Sequence, residues 1–372
     1  MKHTHRVLAL LLAALLALGM LAGCGEEPAS EESTAPQSEE PAAEESTASS
    51  EEPEGPRTLT DMAGREVEVP AVIEKAFSTD PTAAIFLYTL VPDRMLGWNY
   101  ELNDLEKSII LDEYETLPNF GMGDAINYEA VLAAGPDIAF MVGTINDATV
   151  SSADDLQESL GIPVVVVDSE LSNTPAAYRF MGELFGVEDT AEQLAAYAEE
   201  TLGDIANMDI PEEEKVRMYY GNGEDSLETA PASSSHGAII ELVNAINVAD
   251  LELGDGSRVQ ISAEQLLAWD PDVIVVNGEP KAADAIMNDP TYANLTAVKE
   301  GKVYGTPNAP FSWVDRPPGP NRIVGLRWLS ALIYPDYIQV DVDDAVKEFF
   351  SLFYHVDLTD EQLANVYAGV AG

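Results

Sequence analysis

The stretch NYEAVLAAGPDIAFMVG, from Asn127 to Gly143, is written a second time as SAEQLLAWDPDVIVVNG, from Ser262 to Gly278. In each copy a capping residue, Asn127 or Ser262, opens a short helical pattern, Gly135-Pro136 or Asp270-Pro271 stops it, and an apolar run follows at once. Ser262 with Gln265 also fits the capping box. A helix that passes directly into a strand buried on both faces is the unit of parallel sheets. Two copies call for two such sheets.

The rest of the chain keeps this alternation. Strand-like runs fall at EKAFSTD, RMLGWN, DIAFMV and PVVVVD in the first half, and at KVRMYYGN, DVIVVN and GKVYGTP in the second. Helical patterns such as PTAAIFLYTL, SADDLQESLG and HGAIIELVNAI lie between them. Leu194, Tyr197, Ala198, Leu202, Ile205 and Met208 recur at helical spacing between the halves, with Asp189 or Thr190 as the expected cap and Pro211 as the stop. The expected fold is α/β: two Rossmann-like lobes with parallel sheets, residues 57–187 and 211–340, joined by one long α-helix over 188–210 and followed by C-terminal helices over 341–372. A single helical crossover implies a small hinge motion.

Ahead of this body, a basic start and an apolar run from Val7 to Leu18 have the layout of a secretory leader, residues 1–23. The sole cysteine, Cys24, ends LAGC, which resembles the lipobox at which bacterial lipoproteins are cut and acylated. Residues 24–56 are acidic, rich in Ser, Pro and Ala, and too polar to offset ordering entropy, so they read as a disordered tether. Acyl chains on Cys24 would hold the protein on the outer face of the membrane, and no later segment approaches the roughly 18 apolar residues of a spanning helix. The formal net charge of −48 argues against nucleic acid as partner. With no cysteine beyond Cys24, the body has neither disulfides nor thiolate chemistry.

Glu129 and Glu264 occupy the third position of the two copies, in the first helical turn and off the apolar faces formed by Val131 and Leu132 or Leu266 and Leu267. The helix dipole alone favours an acid there, by about 0.3–1 kcal/mol. Their recurrence adds something: two matched acidic points related by an approximate twofold suit a symmetric dimeric partner with basic sockets.

The lipobox, the acidic tether, the hairpin-like TLTDMAGREVEVPAVIEKAFS, LAAGPDIAF, GIPVVVVD, the single linking helix, LLAWDPDVIVV and VYGTPN with FSWVDRPPGPNRIVGLRWLSALIYPD together resemble the extracytoplasmic substrate-binding proteins of ABC importers for iron complexes and vitamin B12. The resemblance implies a ligand clasped between the lobes and no resident cofactor. It also implies a monomer that docks on a permease dimer with a cytoplasmic ATPase, Glu129 and Glu264 meeting permease arginines. Trp313 and Asp315 match by motif a ligand-facing stretch of the vitamin B12-binding relative. Loops after strand ends supply the other cleft candidates. These are Trp98, Asn99, Tyr100, Phe120, Thr144 and Asn146 from the first lobe, and Tyr220, Glu228, Thr229, Ser234, His236, Arg316 and Arg322 from the second. Aromatic rings suit a planar or catecholate ligand, and the two arginines suit carboxylates or an oxyanion. Trp98, Trp313 and Arg322 have plain core or helix-anchoring readings beside these.

A siderophore-like iron complex is the first ligand reading. Corrinoid, haem with Tyr100 or Tyr220 as axial ligand, and molybdate or tungstate are the alternatives. A bare metal ion fits poorly, because only His236 and His355 follow the leader. The SSSHG stretch raises a hydrolase, but the Gly-x-Ser-x-Gly elbow is absent.

Overall fold

The computed structural model describes residues 55–253, 258–277 and 281–367, all within one compact unit. The leader, Cys24 and nearly all of the tether lie outside the described residues, as does Gly278 at the end of the second copy.

The chain enters through the hairpin β1 (Arg57–Thr60) and β2 (Glu66–Val69), paired antiparallel. The first lobe holds β3 (Ala76–Ser78), β4 (Ile138–Gly143) and β5 (Val164–Asp168) in one parallel sheet of that order. Every residue of β5, VVVVD, is buried, as a strand covered by helices on both faces must be. The strand expected at RMLGWN is reduced to bridges from Ala76 to Met95 and from Trp98 to Asn119. Met95 and Trp98 still lie beside the sheet, but the turn Pro92–Arg94 and the loop after Asn99 leave no room for a ladder.

The second lobe is built on β6 (Arg217–Asn222), β7 (Glu228–Thr229), β8 (Ile246–Asn247), β9 (Val259–Gln260), β10 (Val273–Val276) and β11 (Val303–Gly305). β11, β10, β6 and β8 pair in parallel, whereas β7 and β9 add an antiparallel arm. This sheet is therefore mixed where a parallel one is expected. The tight return after Asn222 folds Glu228–Thr229 back on β6, a hairpin that no crossover could replace.

The linking helix runs Glu188–Ala206, starts without the expected Asp189 or Thr190 cap, and stops before Met208. Its capping position is Val187, because the preceding helix Thr174–Phe185 ends at Gly186 in the left-handed region and turns the chain straight into the next helix. Those two helices pack along each other. One apolar cluster then runs from Val165 and Val167 through Leu194 and Ala198 to Met218, Tyr220 and Val273, so the lobes share a core.

The C-terminal helix Val342–Tyr354 strengthens that sharing. Its Phe353 meets Tyr178 edge-on at 5.5 Å and its Tyr354 lies 5.8 Å from Tyr88, both in the first lobe. On the same helix Phe350 reaches Trp313 of the second lobe at 6.3 Å, and Phe349 and Phe353 flank Tyr197 of the linking helix. Each such ring contributes about 1.5–3 kcal/mol by burial. The sequence shows only the apolar periodicity of this helix; its reach back to the first lobe is a tertiary fact.

The segment Phe311–Pro320 crosses over the buried helix Asn321–Ile333 at very short range. A Cβ placed on Gly325 would stand 1.8 Å from the Trp313 carbonyl oxygen. Helix propensity favours Ala over Gly by about 1 kcal/mol, but backbone that must move aside costs more. Gly325→Ala is expected to destabilise the fold by about 1–3 kcal/mol, read as a fall in the urea midpoint at unchanged slope.

Candidate functional site

A cleft of about 600 Å³ opens between the lobes. The first lobe supplies Asp80, Pro81, Thr82, Tyr100, Asn103, Leu105, Glu106 and Met122 to its walls, and the second supplies His236, Asn277, Asn308, Pro310, Phe311, Ser312, Arg316, Pro317 and Pro318. These positions follow strand ends: Asp80 comes just after β3, Asn277 just after β10 and Asn308 shortly after β11.

The acids of the first wall are already engaged. Asp80 caps the helix Pro81–Leu90, accepting from the Ala83 amide at 3.0 Å and from the Thr79 hydroxyl at 3.1 Å. Burial pushes its carboxyl up despite those bonds. Glu106 accepts from the Asn103 amide at 2.6 Å and from the Tyr100 hydroxyl at 2.9 Å, and burial raises its pKa as well. Leu105 and Met122 add exposed apolar surface beside them.

The second wall presents donors. His236 lines the cleft with its Nδ1 on the carboxylate of Asp315, which is wholly buried behind it. Arg258 binds the other Asp315 oxygen, and the Tyr220 hydroxyl donates to that same oxygen at 3.3 Å. Burial alone would raise the Asp315 pKa, but the His236 and Arg258 partners outweigh it and hold the carboxyl below its ordinary value. A carboxylate fixed in this way orients the imidazole. Arg316 is exposed on the same wall.

Of the ligand candidates read from the sequence, Tyr100, His236 and Arg316 line the cleft, and Asp315 and Tyr220 stand directly behind His236. The others lie elsewhere. Trp98 is core, its indole donating to the Tyr114 carbonyl and its ring against Tyr88 and Phe311. Trp313 is fully buried, with its indole on the Ala309 carbonyl. Phe120 packs edge-on to Phe77. Asn99 is consumed by Ser78 and the Gly121 carbonyl, because a loop that closes over a sheet must satisfy its own backbone.

Thr229 donates to the Tyr220 carbonyl and Ser234 accepts from the Gly237 amide, both buried. Glu228 is half-buried, 4.0 Å from Arg258. Thr144 and Asn146 are exposed at the start of the helix Asp147–Leu160, which Asn146 caps. Arg322 has 1% exposure and spends both terminal nitrogens on the carbonyls of Ser235, Ser169 and Pro318, which ties the lobes together. Burial pulls its pKa down to about 10.

Arg258 escaped the sequence reading because GDGSRVQIS carries no periodic or motif signal around it. Asn277, the last residue of the pattern DVIVVN, and Asn308, just beyond GKVYGTP, were missed. Position after a strand was the available cue.

The two first-turn acids are exposed, Glu129 in the helix Tyr128–Ala134 and Glu264 in the helix Ala263–Trp269. Asn127 and Ser262 cap these helices through the amides of Ala130 and Gln265. Ser262 accepts from the Gln265 amide, which is one half of the expected capping box. The first helix ends on Gly135 and the second on Asp270, both in the left-handed region, and Asp270 is held there by accepting from the Thr296 amide and hydroxyl. Leu132 is 46% exposed, so the apolar face there is Val131 alone.

Among the described residues no cluster of His, Cys, Asp and Glu fits a metal ion, and no helix is long and apolar enough to cross a membrane. The profile of a family described as periplasmic binding protein matches residues 97–310. The molybdate-binding protein MolA of Haemophilus influenzae is 26% identical over 83% of this chain and 93% of its own. The Bacillus subtilis ABC transporter substrate-binding lipoprotein YvrC is 26% identical over 87% of this chain and 96% of its own. An ABC transporter solute-binding protein from Sulfurospirillum deleyianum superposes with a TM-score of 0.77 at 28% identity, covering 84% of this chain and 99% of that one.

Proposed function

The chain belongs to the periplasmic binding protein family, and from that membership we propose that it captures an anionic iron complex of siderophore type in the inter-lobe cleft. It is a substrate-binding protein of an ABC importer, the class to which its relatives belong. Such a protein works outside the cytoplasm, binds without turnover and hands its ligand to a permease with an ATPase behind it. In our reading Cys24 carries the acyl anchor, the protein acts as a monomer, and Glu129 and Glu264 dock it on the permease dimer.

The observation that carries the ligand reading is the division of labour across the cleft. The second wall carries His236, backed by Asp315, and the Arg316 guanidinium, and the acids of the first wall are hydrogen-bonded within their own lobe. A volume of about 600 Å³ with Leu105, Met122, Phe311 and prolines suits a ligand with an apolar body and an anionic edge. Haem held by a tyrosinate has less support. The Tyr100 and Tyr220 hydroxyls donate to carboxylates, and burial pushes both phenols up, away from the ionised form. A second reading, molybdate or a like oxyanion, is favoured by the name of the 26% identical relative.

The test is a thermal-shift panel of ferric catecholate, ferric hydroxamate, cobalamin, haem and molybdate. The true ligand at a hundredfold its Kd adds about 2.7 kcal/mol to stability and raises the melting temperature by several degrees. A shift with molybdate alone selects the second reading. No shift with any member refutes both.

A further inference from the structure

Beside the charged groups, the second wall carries a neutral cluster at the ends of three strands. Asn222 closes β6, Asn277 follows β10, and Thr306, Asn308 and Ser312 follow β11. Asn277 Nδ2 donates to Asn222 Oδ1 at 3.2 Å, and Asn277 Oδ1 accepts from the Thr306 and Ser312 hydroxyls at 3.3 and 3.5 Å. The single Thr306 hydroxyl hydrogen is shared between Asn277 Oδ1 and Asn308 Oδ1, the latter at 3.1 Å, and Ser312 Oγ accepts from the Val314 and Asp315 amides. Asn277, Asn308 and Ser312 line the cleft.

The balance of donors and acceptors is uneven. A primary amide has two N–H donors and one carbonyl oxygen. The amide oxygens of Asn222, Asn277 and Asn308 all accept from within the cluster, yet Asn222 Nδ2 is buried without a hydrogen bond and Asn277 uses one of its two N–H groups here. The Tyr220 hydroxyl lies beside the Asn222 amide. Spare hydrogens and engaged oxygens make a surface that asks for acceptors.

We infer that this amide–hydroxyl cluster is a specificity subsite, in which Asn277 donates to an acceptor oxygen of the ligand and Asn222, one layer behind, holds the Asn277 amide in the donating orientation. The subsite rests on the anionic reading above and refines it. It selects ligands whose anionic edge carries an oxygen beside the one facing Arg316, such as a chelating carboxylate, a catecholate or a tetrahedral oxyanion, over ligands that meet that wall with an N–H or an apolar group.

Two variants test it, titrated calorimetrically with ferric tricatecholate and with molybdate. Asn277→Asp keeps the oxygen that accepts from Thr306 and Ser312 and replaces the donor with an acceptor, and Asn222 retains the fold by turning its idle amide toward the new oxygen. Affinity for the probe that the unaltered protein binds should fall by about tenfold or more, as for loss of a hydrogen bond to a charged group. The melting temperature without probe should hold. Asn222→Ala, which frees the Asn277 amide to rotate, should weaken the same probe by a smaller factor. Tight binding by the unaltered protein and equally tight binding by both variants would overturn the subsite while leaving the anionic cleft intact. If neither probe binds the unaltered protein, the anionic reading and the subsite fall together.

Discussion

Asp315→Ala is expected to remove about 3–5 kcal/mol of folding stability. The carboxylate is wholly buried and shared by Arg258, His236 and Tyr220. Without it the Arg258 guanidinium, only 14% exposed and with an unpartnered Nε, keeps only the half-buried Glu228 carboxylate at 4.0 Å as counter-charge. Total stabilities of about 5–15 kcal/mol make such a loss a large part of the whole. Asp315→Asn should lose nearly as much, because it keeps the shape but not the charge. The pH dependence has a definite sign. The folded-state pKa of Asp315 is depressed, so its contribution is complete above the unfolded value near 3.8 and fades as pH falls through the lower folded value. Urea unfolding of the unaltered protein and Asp315→Asn should therefore converge at strongly acid pH. Equal stability of the two at pH 7 would show that the cluster contributes nothing net.

The second large effect concerns delivery and not folding. Glu129→Ala combined with Glu264→Ala should abolish stimulation of the importer's ATPase while leaving ligand affinity within about twofold of the unaltered protein. Each acid is exposed on the first turn of its own helix and absent from the cleft walls. Hydrogen bonds from its own backbone amide and from Ser262 hold the Glu264 carboxyl below its ordinary pKa, which favours the charged form that docking needs. Exposed pairs are individually weak, about 0–1 kcal/mol, yet two of them at a fixed separation set the register of approach. Stimulation by the single variants should fall further as ionic strength rises. Loss of ligand affinity in the double variant would move these residues out of the docking role.

The duplicated helix–strand unit was readable because its period changes sharply at Gly135-Pro136 and Asp270-Pro271, and a carboxylate off the apolar face has nowhere to go but solvent. The linking helix was readable for the same reason: Leu194, Ala198, Leu202 and Ile205 keep one face. What the sequence hid was direction in space. Trp98 and Trp313 look the same in a string whether their rings face a ligand or a neighbouring helix, and both face the interior. Arg322 reads as a free cation beside a proline-rich loop, yet folding surrounds it with carbonyls from both lobes. Asn277 carries no charge and no ring, so nothing local set it apart from any residue after a strand.

The aromatic helix Val342–Tyr354 leans on both halves of the molecule at once, and Arg322 laces them together a second time. A carrier riveted in this way arrives at its cargo already shaped, so little of the encounter is lost to rearrangement. The same two ties resist any widening of the groove, so prising the halves apart has to work against packed rings and the Arg322 bonds alike.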